Sequence, residues 1–72
     1  MIEINMIEVG QRIKELRLEN GMTQTQLAEK IGVATNTISQ YEKGLSKTSI
    51  DVIANLADVF ETSTDYLLGL TD

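Results

Sequence analysis

Apolar residues recur at every third or fourth position through most of this chain, which is the spacing of amphipathic helices. Val9, Ile13 and Leu16 form the first such stripe. The stripe predicts a helix that begins at about Met6 and ends at Gly21, because glycine readily takes the left-handed conformation that closes helices. The alternating apolar residues at positions 2, 4 and 6 also fit a short strand, and both interpretations stay open.

Two further helices are predicted close together, over residues 24–31 and 35–42. Thr23 and Gln26 have the spacing of a capping box, in which each side chain bonds to the backbone N–H of the other residue. Ala34 precedes the next helix and has no side-chain acceptor, so we expect the start of that helix to lose about 1 kcal/mol relative to Ser or Thr. The middle of the chain is therefore expected to hold two short helices separated by a tight turn.

Two more short helices complete the pattern, with Ser49 and Ser63 as their capping residues. The first of them has the broadest apolar face in the chain, which predicts a central position in the core. This face comprises Ile50, Ile53, Ala54, Leu56, Ala57 and Phe60. With no strand pattern elsewhere and no proline, the sequence predicts a compact five-helix, all-α fold as a single domain over residues 1–72.

The composition removes several classes of function. The chain has no cysteine and no histidine, which excludes a disulfide and a Cys/His metal site. It also lacks a glycine-rich phosphate loop and carboxylates at motif spacing, so we predict no metal, no cofactor and no enzymatic activity. No apolar run approaches the ~18 residues of a membrane span, and the N-terminus lacks the basic region of a signal peptide. We therefore expect a cytoplasmic protein with no membrane partner.

The net charge of −5 has the wrong sign for a nucleic-acid-binding protein, but the charge is unevenly distributed. Residues 50–72 contain five acidic residues and no basic one. Residues 21–49 contain only Glu29 and Glu42 against three lysines. A DNA-binding surface in the middle of the chain is therefore compatible with the overall charge.

The predicted helix over residues 35–42 has an uncommon polar surface. It carries threonine, asparagine, serine and glutamine rather than the glutamate, lysine and alanine that favour helices. Hydroxyl and amide groups read base edges in a DNA groove, and asparagine and glutamine suit adenine. The alternative is a solvated helix surface with no partner.

Several short motifs stand in a fixed order along the chain. They are Gly10, Ile13, Leu16-Arg17, Gly21-Met22-Thr23-Gln24, Leu27-Ala28, Ile31-Gly32-Val33, Ile38-Ser39, Tyr41-Glu42-Lys43-Gly44, Leu56-Ala57 and Asp65-Tyr66-Leu67-Leu68-Gly69. In this order they resemble the lambda-repressor-like helix-turn-helix family of phage repressors, Cro and XRE-type regulators, over about residues 9–69. No single motif is specific, but their common register is. The resemblance implies a helix-turn-helix at about residues 23–44.

The resemblance implies that the third helix lies in the DNA major groove, with its N-terminal residues at base edges. The implied base-reading residues are Thr35, Asn36 and Gln40. The implied contacts to the DNA backbone are Thr23, Gln24, Thr37, Ser39, Lys43 and Lys47. Gln24 stands at the first turn of its helix, where free backbone N–H groups attract a phosphate. For the two lysines, simple solvation is the alternative.

Arg17 and Glu42 are expected, from the resemblance, to form a structural ion pair between the first and third helices. Such a pair would neutralise Glu42 beside the DNA, and two separate solvated charges are the alternative. Tyr41 is expected in the core by its spacing from Ile38, rather than stacked on bases.

The resemblance also implies a homodimer paired through the C-terminal helices, which places two recognition helices about one DNA turn (~34 Å) apart. The predicted dimer contacts are Phe60, Tyr66, Leu67 and Leu68. A monomer that buries these side chains in its own core is the alternative.

We therefore predict a sequence-specific, double-stranded DNA-binding transcriptional regulator, and more narrowly a repressor that occupies a palindromic operator as a homodimer. The expected setting is the nucleoid of a bacterial or phage-type system. The alternative is a protein-interaction module of the same fold, such as an antitoxin or a regulatory subunit, with weak or no DNA binding and an acidic surface that meets a basic partner.

Overall fold

The computed structural model describes residues 1–71 and contains five helices. They are α1 (Met6–Glu19), α2 (Gln24–Ile31), α3 (Thr35–Glu42), α4 (Ile50–Phe60) and α5 (Thr64–Leu68). The predicted all-α fold is confirmed. The short strand that the first residues also allowed does not form. Residues 1–5 have no regular structure, and Met6 already belongs to α1. Asp72, the last residue of the predicted domain, lies outside the described residues.

The helix starts follow the capping side chains. The Asn5 side-chain oxygen accepts hydrogen bonds from the backbone N–H groups of Ile7 and Glu8, at 2.9 and 3.2 Å. Thr23 and Gln26 form the predicted reciprocal box, with bonds of 3.1 and 2.8 Å. Ala34 precedes α3 without any side-chain cap, as predicted. Four of the five helices thus begin where a side chain satisfies free N–H groups, and α3 does not.

The core lies where all five helices meet, and α3 packs against both α1 and α2. Six side chains have essentially no exposed surface: Val9, Ile13, Leu27, Ile38, Leu56 and Leu67. Tyr41 is 8% exposed, which confirms its predicted position in the core. Because Ile38 and Tyr41 anchor one side of α3, the opposite side of that helix is left outward.

The predicted core face of α4 was too broad. Ile53, Leu56, Ala57 and Phe60 are buried, but Ile50 is 87% exposed and Ala54 is also exposed. Ile50 and Ala54 instead line an open groove. The helical spacing identified the correct face of α4, but no neighbouring helix covers the beginning of that face.

Gly10 allows α1 and α3 to approach each other at the level of their backbones. A Cβ atom at this position would lie 2.3 Å from the carbonyl oxygen of Tyr41 and 2.7 Å from that of Glu42. Those atoms belong to the backbone and cannot turn away. Any side chain here would therefore force the last turn of α3 away from α1.

The link between α4 and α5 contains a conformation that the sequence did not indicate. Glu61 has φ +52° and ψ +45°, and it is the only non-glycine residue within 1–71 that has a positive φ. Glycine fills most such positions because its missing Cβ removes the steric cost. The turn is made here against the preference of the residue that occupies it.

Candidate nucleic-acid interface

A tight turn sets α3 across α2. Gly32 takes the left-handed conformation that ends α2, with φ +72°, and the Val33 N–H donates to the Ala28 carbonyl at 3.0 Å. Val33 is partly buried against the core. The turn thus fixes the direction in which α3 leaves α2.

The three predicted base-reading residues stand together on the outer side of α3. Thr35, Asn36 and Gln40 are all exposed, and Thr37 and Ser39 are half-buried beside them. No acidic side chain is exposed on this helix, because its one carboxylate, on Glu42, is buried. The face therefore offers hydroxyl and amide groups without a negative charge, which is the chemistry that base edges accept.

Thr25 belongs to this surface although the sequence analysis did not identify it. The Thr35 hydroxyl donates to the Thr25 hydroxyl oxygen at 3.3 Å, across the gap between α2 and α3. The pair is ten residues apart in the chain, and no helical spacing connects residues on two different helices. The contact depends on how the two helices cross.

The predicted backbone-contacting residues outside α3 occupy two regions. Thr23 and Gln24 lie at the N-terminus of α2, where the capping box occupies the N–H groups of Thr23 and Gln26 and leaves those of Gln24 and Thr25 without an acceptor in the helix. Lys43 and Lys47 lie beyond the end of α3 and are exposed. In the part of the chain that the structure describes, neither lysine forms an ion pair. Both are thus available to an external anion.

Arg17 and Glu42 lie together beneath this surface. Arg17 Nε donates to one carboxylate oxygen of Glu42 at 2.6 Å, and a terminal nitrogen donates to the other oxygen at 3.2 Å. The two side chains are only 9% and 4% exposed. The other terminal nitrogen of Arg17 donates to the Met22 carbonyl at 2.8 Å. This bidentate pair neutralises the one acid of α3 and ties α1 to both helices of the turn.

Gln24 is attached to the same carboxylate. Its side-chain nitrogen donates to Glu42 Oε1 at 3.1 Å. The family resemblance implied a phosphate contact for Gln24 and an ion pair of Glu42 with Arg17, but no contact between Gln24 and Glu42. The two residues are eighteen positions apart, so only the packing of α2 against α3 reveals the contact.

Two of the four predicted dimer contacts are buried within the protomer. Phe60 is 7% exposed and Leu67 is fully buried, so both side chains belong to the core of the protomer and offer no surface to a second copy. Tyr66 and Leu68 are half-buried, and the guanidinium of Arg12 lies 5.7 Å from the centre of the Tyr66 ring. The stripe of α5 that looked available from its sequence is largely used within the chain.

An apolar groove lies at the start of α4 instead. Its volume is about 540 Å3. The lining side chains include Ile4, Met6, Ile50, Ile53, Ala54 and Leu68, with Lys47 at its edge. Ile4 and Ile50 leave apolar surface exposed in this groove, 40% and 87% of each residue. Because Lys47 belongs to the loop after α3, the groove adjoins the candidate DNA-binding surface.

Among residues 1–71, no group of acidic side chains could hold a metal ion. None of the described helices is both long enough and apolar enough to cross a bilayer.

The arrangement of α2, turn and α3 on three supporting helices defines a helix-turn-helix domain. A family model described as helix-turn-helix matches residues 13–67, which is most of the chain. The chain therefore belongs to the lambda-repressor-like, XRE-type helix-turn-helix family.

Known relatives and solved structures agree with this assignment. The uncharacterized HTH-type transcriptional regulator YobD of Bacillus subtilis (strain 168) is 44% identical over 62 residues, which cover 86% of this chain and 55% of YobD. The crystal structure of the biofilm master regulator SinR in complex with DNA has a TM-score of 0.77 and 39% identity, covering 83% of this chain and 97% of that one. The P22 c2 repressor in complex with a synthetic operator has a TM-score of 0.80 and 30% identity, covering 83% and 91%. The chain spans about half the length of YobD.

Proposed function

We propose that this chain binds a specific double-stranded DNA operator through the outer side of α3 and regulates transcription, most simply as a repressor that excludes polymerase. The observation that carries the proposal is the exposed, acid-free face of Thr35, Asn36 and Gln40. Ile38 and Tyr41 hold that face outward from a packed core. The SinR and P22 c2 structures, both in complex with DNA, support the choice of partner.

In the proposed complex, α3 lies in the major groove, and the two ends of the helix-turn-helix contact the DNA backbone. Thr23 and Gln24 reach one phosphate region from the N-terminus of α2, and Lys43 and Lys47 reach another beyond α3. Thr37 and Ser39 lie between them at the edges of the helix. A chain that acts on an operator works at the nucleoid, within the cytoplasm.

We further propose that two copies pair through the apolar groove at the start of α4, and that the operator is palindromic. Ile4, Ile50 and Ala54 would meet their counterparts across a two-fold axis, as a self-complementary patch requires. Lys47 at the edge of the groove brings the axis close to the DNA, so that both α3 helices can face the same duplex. Sedimentation across a range of concentrations tests the pairing.

Selection from a pool of random duplexes tests the DNA-binding function. The protein should enrich a short site with two inverted half-sites, and the enriched duplex should compete for binding better than its scrambled version. If nothing is enriched at low salt, the operator-binding function is rejected.

One observation favours a second candidate, in which the fold serves as a protein-interaction module. Asp51, Asp58, Glu61 and Asp65 are all exposed, and no basic residue lies among them from residue 50 onward. Such a surface suits a basic protein partner. Under this second function the chain would enrich no duplex, whereas it would bind a basic partner with an affinity that falls as salt rises.

A further inference from the structure

Glu42 is shared between two partners that come from different helices. One carboxylate oxygen accepts from Arg17 Nε, and the other accepts from both an Arg17 terminal nitrogen and Gln24 Nε2. Glu42 has a side-chain exposure of only 4%, so water competes little for these bonds. The carboxylate therefore acts on Gln24 as well as on Arg17.

The chemistry of Glu42 determines how the Gln24 amide must face. An ionised carboxylate only accepts hydrogen bonds, so it attracts the amide nitrogen of Gln24 and repels the amide oxygen. The nitrogen carries two hydrogens, and the bond to Glu42 uses one of them. The second hydrogen remains for an acceptor outside the chain. Gln24 also begins α2, where free backbone N–H groups attract the same kind of acceptor.

We infer that Glu42 is a positioning residue for the DNA backbone contact, because it holds the Gln24 amide with its second N–H available to a phosphate oxygen. This inference rests on the proposed function. Arg17 holds both Glu42 and the chain before α2 in place. It neutralises Glu42, and its bond to the Met22 carbonyl fixes the backbone immediately before the start of α2. The buried pair thus prepares a phosphate contact that neither of its own residues makes.

The substitution Glu42→Gln separates positioning from plain structural support. The new side chain has the same shape but one acceptor oxygen for three donors, and Arg17 Nε, which makes the shortest of the three bonds at 2.6 Å, keeps that oxygen. The amide nitrogen of the new side chain then faces Gln24, which must turn its oxygen inward to pair with it. The Gln24 amide is thereby reversed with respect to the phosphate.

A double-mutant cycle on DNA binding tests the inference. Fluorescence anisotropy at low salt, with a labelled duplex, would compare the wild type, Gln24→Ala, Glu42→Gln and the double variant. Each single variant should weaken binding by about 5- to 30-fold, the loss expected for one or two hydrogen bonds. In the Gln24→Ala background, Glu42→Gln should add less than about twofold. If Glu42→Gln weakens binding by the same factor in both backgrounds, Glu42 does not act through Gln24 and the inference is overturned.

Gln26→Ala is the matched control, because it removes the capping-box partner of Thr23 at the same helix start without touching Glu42. If this variant reproduces the binding loss of Glu42→Gln, general loosening of α2 explains both results, and the inference fails. Glu42→Asp, which keeps the charge but is too short to reach both partners, takes the place of Glu42→Gln if the latter is unfolded in a thermal melt.

A measurement without DNA separates this inference from the proposed function. The side-chain NH2 group of Gln24 should show restricted motion by 15N relaxation in the wild type, and Glu42→Gln should shift its resonances and change its mobility. Unchanged resonances and mobility would refute the positioning role even if the protein binds DNA. A wild type that binds no duplex would refute the proposed function, whereas the relaxation result would still decide whether Glu42 holds Gln24.

Discussion

At the scale of single residues, the contact predicted best was the ion pair between Arg17 and Glu42. The family resemblance implied this pair, and in the structure Arg17 Nε lies 2.6 Å from a carboxylate oxygen of Glu42. The Gln24–Glu42 and Thr25–Thr35 contacts could not be predicted in the same way. Each joins two helices, and the distance between such residues depends on how those helices cross rather than on any spacing along the chain.

Gly10→Ala should destabilise the domain, although glycine-to-alanine changes inside helices usually stabilise by about 0.5–1 kcal/mol. The added methyl would lie 2.3 Å from the Tyr41 carbonyl oxygen, so α1 and α3 must separate. We expect a loss of about 1–3 kcal/mol in the free energy of unfolding, as for other overpacked sites. Chemical denaturation measures it, with Gln11→Ala on the exposed side of α1 as the control that should stay within about 0.5 kcal/mol. A stabilised Gly10→Ala variant would contradict the close approach.

Gln40→Ala tests base reading at the exposed face of α3. Removal of an amide that contacts a base edge should weaken binding to the selected operator by about 1–3 kcal/mol and leave binding to a scrambled duplex nearly unchanged. Titrations of both duplexes at one salt concentration give the comparison. An equal loss on both duplexes would show that Gln40 contacts the backbone or only supports the fold.

At the scale of helices, the predicted starts of α2, α4 and α5 agree with the structure because a capping residue marks each of them. Thr23, Ser49 and Ser63 each precede a helix and accept from its first turn. The apolar face of α4 was predicted less well, since helical periodicity shows which side of a helix is apolar but not whether another element covers it. The exposure of Ile50 followed only from the positions of its neighbours.

The missing cap on α3 can be restored. Ala34 has φ −74° and ψ 152°, close to the −75° and 165° of Ser49, which does cap its helix. Ala34→Ser should therefore raise the free energy of unfolding by about 1 kcal/mol, or the melting temperature by about 4–8 °C. Ser49→Ala is the matched control with the opposite sign. Calorimetry that detects the loss in Ser49→Ala but no gain in Ala34→Ser would show that α3 has another way to satisfy its first N–H groups.

At the scale of the whole molecule, the net charge argues against DNA binding, whereas the distribution of the charges along the chain is compatible with it. The net charge of −5 is real, but the exposed face of α3 is free of acid, and the only carboxylate on that helix is paired. The class of fold and the helix-turn-helix were predicted from the sequence. Two of the apolar residues predicted to meet a second copy, Phe60 and Leu67, pack in the core of the protomer.

Few basic residues face the proposed DNA partner, so the salt dependence should be modest. Two or three phosphate contacts per subunit correspond to a log–log slope of about −4 to −5 for a dimer. Replacing both Lys43 and Lys47 by alanine should flatten that slope by about 3–4, whereas Lys30→Ala should leave it unchanged. Affinities measured at several salt concentrations give the slopes. A double variant with the wild-type slope would show that these lysines remain solvated in the complex.

Ile50→Glu should break the proposed dimer. Each copy would lose the burial of one isoleucine, about 1.5–3 kcal/mol, and the two-fold axis doubles the loss, so dimerisation should weaken by at least about 100-fold. Analytical ultracentrifugation measures it. Leu18→Glu is the matched control, since Leu18 is 57% exposed and does not line the groove. If Leu18→Glu dissociates the dimer and Ile50→Glu does not, the pairing surface lies elsewhere.

Because Glu61 has a left-handed conformation, the domain is less stable than it would be with glycine at this position. Glycine there would remove a steric cost of about 1–2 kcal/mol, at a bend that contains none of the residues assigned to DNA. Most substitutions that alter a surface such as that of α3 reduce stability. Such substitutions persist in evolution only if the protein remains stable enough to fold and function. The stability gained by Glu61→Gly would therefore offset the stability lost when substitutions on α3 change the preferred operator.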